Sequence, residues 1–129
     1  MVVDDDDAVR AALAFSLELE GFGVAAFSCA EDLLRLAPLP MCCCFVIDHR
    51  LPGVDGVELF VELRSAGAAA PGVLITTDPT PKTRARAGWA GMSIVEKPLL
   101  GDALVQTVKV LTCAGSCADA CGTGNARRF

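Results

Sequence analysis

Short apolar runs alternate with longer stretches of helical period along residues 1–112. Val2-Val3 opens the chain as a strand-like stub. Asp6 or Asp7 can cap a following helix, because a carboxylate accepts the unpaired N–H groups of a first turn and complements its dipole. Val9, Leu13 and Leu17 recur at helical spacing, with Arg10, Glu18 and Glu20 outside that stripe. Gly21 and Gly23 break the pattern, and Val24 to Phe27 forms a second apolar run. Ser28 is placed to cap a short helix carrying Leu33, Leu34 and Leu36, which Pro38 and Pro40 end. Met41 to Ile47 is unbroken apolar sequence, which predicts a strand covered on both faces. Pro52, Gly53 and Gly56 predict a loop, and Val57, Phe60, Val61 and Arg64 a helix. After the Pro71-Gly72 turn, Val73-Leu74-Ile75 predicts another buried strand. Thr83 to Trp89 predicts a weak helix rich in bases, Ser93-Ile94-Val95 the last strand, and Leu104, Val108 and Leu111 the last helix.

Strands joined by helical crossovers make a parallel sheet with helices on both faces. The expectation is therefore an α/β domain over residues 1–112, built on a single doubly wound five-stranded sheet. Residues 113–129 switch to Cys, Ala, Gly, Ser and Asn with a basic end at Arg127-Arg128, and are expected to form a mobile tail.

Composition narrows the classes. The 129 residues fit one domain, and a hydrophobic fraction of 53% excludes a disordered chain. The longest apolar run, Met41 to Ile47, is far below the ~18 residues of a membrane span. Four aspartates follow Met-Val-Val where a signal peptide needs a basic and then an apolar stretch. A cytoplasmic protein without membrane attachment is expected. The net charge of −5 and the scattered bases argue against direct nucleic-acid binding, apart from a small cluster at Lys82, Arg84 and Arg86. The seven cysteines are an odd number without a secretory signal, which predicts reduced thiols. Cys42, Cys43 and Cys44 read as small hydrophobes. Cys113, Cys117 and Cys121 share a helical face but lack the ligand number and spacing of a zinc site.

Candidate chemistry follows from the order of the elements. In an open parallel sheet, ligands bind at the carboxyl ends of the strands. Asp4 and Asp5 follow the first apolar run, Asp48 the third, Thr76 and Thr77 the fourth, and Lys97 the fifth, whereas the second delivers only Ser28. Clustered carboxylates repel one another and raise their own pKa values. A bound cation or the Lys97 ammonium relieves that cost. Oxygen ligands without His or Cys suit Mg²⁺. A metal, an ammonium and a hydroxyl around one carboxylate are equipped to hold a phosphoryl group, with Asp48 as the nucleophile.

Together, Val3-Asp4-Asp5-Asp6, Phe45-Val46-Ile47-Asp48-His49-Arg50-Leu51-Pro52, Gly56-Val57-Glu58-Leu59, Ile75-Thr76 and Glu96-Lys97-Pro98 resemble the receiver domain of two-component response regulators. The likeness runs from residue 2 to about residue 111, and Asp5 to Phe27 is closest to receivers of the FixJ type. It implies a CheY-like fold with sheet order 2-1-3-4-5 and five helices. It further implies Asp48 as phosphoacceptor, Asp4 and Asp5 with the backbone carbonyl of Arg50 as Mg²⁺ ligands beside Asp48, Thr76 as switch hydroxyl, and Lys97 as phosphoryl contact. Pro98 matches a proline that the family usually carries in cis. The expected partners are a sensor histidine kinase and a downstream protein, or a second copy, on the face of the fourth helix, last strand and last helix. Such a domain is a switch that catalyses only its own phosphorylation and dephosphorylation.

Three departures stand out. Ile94 occupies the place of the family's aromatic switch residue, which weakens the expected coupling to the output face. Asp78-Pro79-Thr80-Pro81 stiffens the loop before the fourth helix. A FixJ-type helix-turn-helix does not fit into residues 113–129, so the sequence reads as a stand-alone or truncated receiver. One alternative is a receiver-like adaptor that binds or dimerises without phosphorylation. Another, an aspartyl-nucleophile phosphatase, wants an acid two residues beyond Asp48, where Arg50 stands.

Overall fold

The structure is a computed structural model that describes residues 1–36, 42–97 and 102–114. Five parallel strands form the main sheet: β1 (Val2–Val3), β2 (Ala26–Phe27), β3 (Phe45–Asp48), β6 (Gly72–Thr76) and β7 (Met92–Glu96). Their order is β2-β1-β3-β6-β7. Two further short strands, β4 (Arg50–Leu51) and β5 (Val54–Asp55), pair with each other as a separate antiparallel hairpin. Counting only the strands of the main sheet, the order is the expected 2-1-3-4-5. The helices are α1 (Asp7–Leu19), α2 (Ala30–Leu34), α3 (Gly56–Ser65), α4 (Pro81–Ala90) and α5 (Ala103–Ala114).

The apolar residues divide by strand alternation into two cores, one on each face of the sheet. Val3, Phe45, Ile47 and Leu74 pack with Leu33, Leu59, Phe60 and Leu63 from α2 and α3. Val2, Val46, Val73 and Ile75 pack with Leu13 and Leu17 of α1 and with Leu104, Val105 and Val108 of α5. Phe60 lies so close to β6 that a Cβ on Gly72 would stand 2.5 Å from its ring, so a side chain there would displace α3. The Arg64 guanidinium covers the same ring at 4.6 Å and donates to the carbonyls of Ala68 and Ala70. It thereby fastens the turn that feeds β6.

Of the two expected candidates it is Asp6 that caps α1, as its carboxylate accepts from the N–H groups of Ala8 and Val9. Several other local expectations change. Cys29, rather than Ser28, stands at the N-cap of α2, and it makes no side-chain cap bond. Within the described part of the Met41 to Ile47 run, Cys42 to Ile47, strand begins at Phe45, although Cys42, Cys43 and Cys44 are all buried. Cys43 is disulfide-bonded, against the expectation of reduced thiols, whereas Cys29, Cys42 and Cys44 form no disulfide. The Pro52-Gly53 segment is the turn of the β4–β5 hairpin rather than an open loop, with Leu51 paired to Val54 and Gly53 at φ 80°. Thr80 caps α4 and Pro81 occupies its first turn, where the missing N–H costs nothing. Residues 37–41, Pro98 and the stretch from residue 115 onward, hence most of the expected tail, lie outside the described residues. Among the described residues no helix is long and apolar enough to cross a membrane.

Candidate functional site at the carboxyl edge of the sheet

The parallel register brings the expected residues together. Val3 pairs with Ile47, Asp48 with Ile75, and Thr76 with Glu96, so the ends of β1, β3, β6 and β7 lie side by side. The Lys97 N–H extends this ladder, donating to the Thr76 carbonyl at 2.8 Å. One carboxylate oxygen from each of Asp4, Asp5 and Asp48 lies within 4.8 Å of the others. Asp4 and Asp48 are buried, and Asp5 is exposed at the mouth.

Lys97 binds the two buried acids unequally. Its Nζ donates to Asp48 Oδ1 at 3.1 Å and stands 3.9 Å from Asp4 Oδ2. Asp4 Oδ1 accepts from the Asp6 N–H at 2.9 Å. Asp4 Oδ2 is buried with no hydrogen-bond partner. A buried anionic oxygen in that state is costly unless a cation reaches it. Burial raises the pKa of Asp48 above the usual carboxylate range, against the Lys97 bond, the Lys97 charge and the Arg50 backbone N–H that lower it. Burial likewise raises Asp4, opposed by the Asp6 N–H, and the neighbouring Asp48 charge pushes it further up.

The walls are set by residues that the sequence did not single out for the site. Gly56 begins α3 directly against β3: a Cβ on it would lie 2.4 Å from the Asp48 carbonyl oxygen and 2.7 Å from Leu74. Its N–H donates to the His49 carbonyl at 2.8 Å. Asp55 caps α3 in a reciprocal box with Glu58 and binds Arg86 of α4 at 2.9 Å. The Thr76 hydroxyl is buried and meets Nδ1 of His49 at 3.1 Å. A sole histidine directly after the candidate nucleophile was a signal available in the sequence. Ile94 pairs with Leu74 and is half-buried against the core below the site. The basic cluster on α4 is largely turned onto the chain itself, with Arg84 paired to Glu96 at 3.0 Å and Arg86 to Asp55.

Three acids, a lysine and a hydroxyl thus gather at the carboxyl edge of a doubly wound sheet, the place where ligands bind in such folds. Residues 1–109 match the family model of the response regulator receiver domain, and the chain belongs to that family of two-component signalling switches. It is 36% identical over 110 residues to the transcriptional regulatory protein FixJ of Azorhizobium caulinodans, covering 84% of this chain and 52% of that one. The FixJ of Bradyrhizobium diazoefficiens is 33% identical over 109 residues, with 84% and 53% covered. The chain thus spans about half the length of these curated relatives. The structure of full-length FixJ from B. japonicum superposes with a TM-score of 0.81 at 31% identity, covering 92% of this chain and 60% of that one.

Proposed function

We propose that this chain accepts a phosphoryl group on Asp48 from the phosphohistidine of a sensor kinase and uses the change to alter a partner-binding face. The observation that carries the reading is the pairing of an unsatisfied buried oxygen on Asp4 with a lysine-bound carboxylate on Asp48, inside a ring of oxygen donors. That donor set fits Mg²⁺, a hard ion that takes carboxylate and carbonyl oxygens and keeps several waters. Asp4, Asp5 and Asp48 would hold it, with the Arg50 carbonyl as the further ligand that the family resemblance implies. When bound, the cation supplies positive charge to the phosphoryl oxygens and to the crowded acids.

The chain's own residues do the rest. An oxygen of Asp48 forms the new O–P bond as the N–P bond of the donor breaks, and its electron pair returns to the donor imidazole. Lys97 already lies on Asp48 and is positioned to neutralise a phosphoryl oxygen as charge shifts onto it. Thr76 supplies a hydroxyl from the adjoining strand as the switch contact. Signalling then passes through the face of α4, β7 and α5 to a downstream protein or a second copy. The protein works in the cytoplasm, where such a kinase presents its phosphohistidine. Pro98 belongs to this reading only through the family resemblance, because it lies outside the described residues. The non-switching adaptor expected as an alternative leaves the acid pocket without a role.

The test is phosphoryl transfer from a small phosphodonor with Mg²⁺, together with beryllofluoride titration followed by amide NMR. Wild type should become phosphorylated and show shifts around Asp48, Thr76 and Lys97. Asp48→Asn should lose all incorporation while keeping its fold. Incorporation that persists in Asp48→Asn would sink the assignment.

A further inference from the structure

Thr76 is 3% exposed, and among the described residues its hydroxyl has one hydrogen-bond partner, Nδ1 of His49 at 3.1 Å. The contact joins positions 27 residues apart, across the ends of β3 and β6. His49 is held at both sides of its backbone. Its N–H donates to the Ile75 carbonyl at 2.9 Å, and its carbonyl accepts from the Gly56 N–H at 2.8 Å. The ring therefore approaches Thr76 from a fixed support. Asp48, by contrast, is bound by Lys97, and no hydrogen bond joins it to Thr76. A threonine hydroxyl has a single proton to donate. A proton engaged by His49 is not available to a phosphoryl oxygen on Asp48.

We propose that His49 is a positioning residue for Thr76: its Nδ1 accepts the hydroxyl proton in the unmodified chain and holds the hydroxyl back from Asp48. The inference rests on the phosphoryl-acceptor reading above and adds a threshold to it. For Nδ1 to accept, the ring proton must sit on Nε2, the tautomer that the bond selects. Each time the switch closes, the Thr76 proton exchanges the ring nitrogen for a phosphoryl oxygen, and the lost bond counts against the closed state. Because the net value of such a bond is modest, the effect is a tuning of the equilibrium rather than a block.

The experiment measures beryllofluoride affinity, in Mg²⁺, for wild type, His49→Phe, His49→Asn and the same substitutions in a Thr76→Ala background. Phenylalanine keeps a ring and removes the acceptor, while asparagine keeps an acceptor oxygen. His49→Phe should bind about two- to tenfold tighter, the range set by one net hydrogen bond. His49→Asn should stay near wild type, and in Thr76→Ala the His49→Phe effect should vanish. Unchanged or weaker binding by His49→Phe overturns the proposal, as does an equal effect without the Thr76 hydroxyl. A second readout needs no ligand: the ¹⁵N shift of His49 in the metal-free chain should report an unprotonated Nδ1 that moves in Thr76→Ala. A protonated Nδ1 overturns the assigned direction of the bond. Wild type that fails to bind the analogue overturns the phosphoryl-acceptor reading and this inference with it. Wild type that binds, with no difference between His49 variants, overturns the inference alone.

Discussion

Asp48, the last residue of β3, and Asp55, the last residue of the β4–β5 hairpin, lie seven residues apart and live under opposite electrostatic regimes. Burial pushes both carboxyls up. At Asp55 the Glu58 N–H and the Arg86 guanidinium outweigh it, and the pKa ends below the usual range. At Asp48 burial wins despite Lys97, and its neighbour Asp4 goes the same way, with one buried oxygen that has only the distant Lys97 charge and no hydrogen bond. Asp55 is a completed structural joint that ties α3 to α4. The Asp4–Asp48 pair keeps a buried oxygen without a hydrogen bond, which suits it to the cation proposed above. An acid whose partners are all within the chain holds the fold; one buried with too few partners is the candidate place for a ligand.

The sharpest way to break this contrast is at Gly56, which touches both regions. It follows the Asp55 cap and lies against the Asp48 carbonyl. Gly56→Ala puts a methyl within 2.4 Å of that backbone oxygen and 2.7 Å of Leu74, so α3 must move away from β3. The expected loss is about 2–3 kcal/mol of stability by urea unfolding, at the upper part of the overpacking range. Beryllofluoride affinity should fall as well. A variant with wild-type stability would show that the close approach of α3 to the site is not required.

Asp55→Ala comes next. It removes a cap bond and the Arg86 pair together, and should cost about 1–2 kcal/mol, mostly from the cap, since the ion pair is partly solvated. The sign of its pH dependence follows from its lowered pKa. The stabilisation is complete above the ordinary carboxylate value and is lost as pH falls through the lower folded value. In Asp55→Ala that acid loss should shrink relative to wild type, while phosphoryl acceptance on Asp48 persists. Loss of acceptance in a folded Asp55→Ala chain would mean that the two acids are not separable.

Much of the pocket was legible because strand order and chain direction place it without side-chain detail. Asp4, Asp5, Asp48, Thr76 and Lys97 each follow or end an apolar run, and a parallel sheet sends all such ends to one rim. What the pattern could not show were contacts that depend on short-range geometry. The hairpin needs only Leu51 opposite Val54 around Pro52-Gly53, too few residues for a period to register. The α2 cap falls on Cys29 instead of Ser28, a shift of one residue between two adjacent small side chains. Arg86 reads as part of a basic patch until α4 is packed on α3 and carries it to Asp55. His49 reads as a lone histidine until β3 and β6 are in register.

The smallest expected effect tests the incomplete side of the contrast. Asp4 and Asp48 hold their protons more tightly folded than unfolded, because both pKa values are raised. Without a divalent cation, stability should therefore fall as pH rises from the ordinary carboxylate value through the raised folded values, and level off above them. This is the reverse of the Asp55 trend. Asp4→Asn removes one buried charge from beside Asp48 and should make that fall shallower. At pH 7 in a chelator it should leave the chain more stable than wild type by on the order of 1 kcal/mol, since the orphaned anionic oxygen is gone. Adding Mg²⁺ should reverse the order. A cation that binds only the folded chain stabilises it in proportion to RT ln(1 + [L]/Kd), and wild type has the ligand that Asp4→Asn lacks. Urea midpoints for the two chains should thus cross between chelator and saturating Mg²⁺. Equal stabilisation of both by Mg²⁺ would show that Asp4 is not a ligand, and a loss of stability in chelator would show that its charge is already satisfied by Lys97.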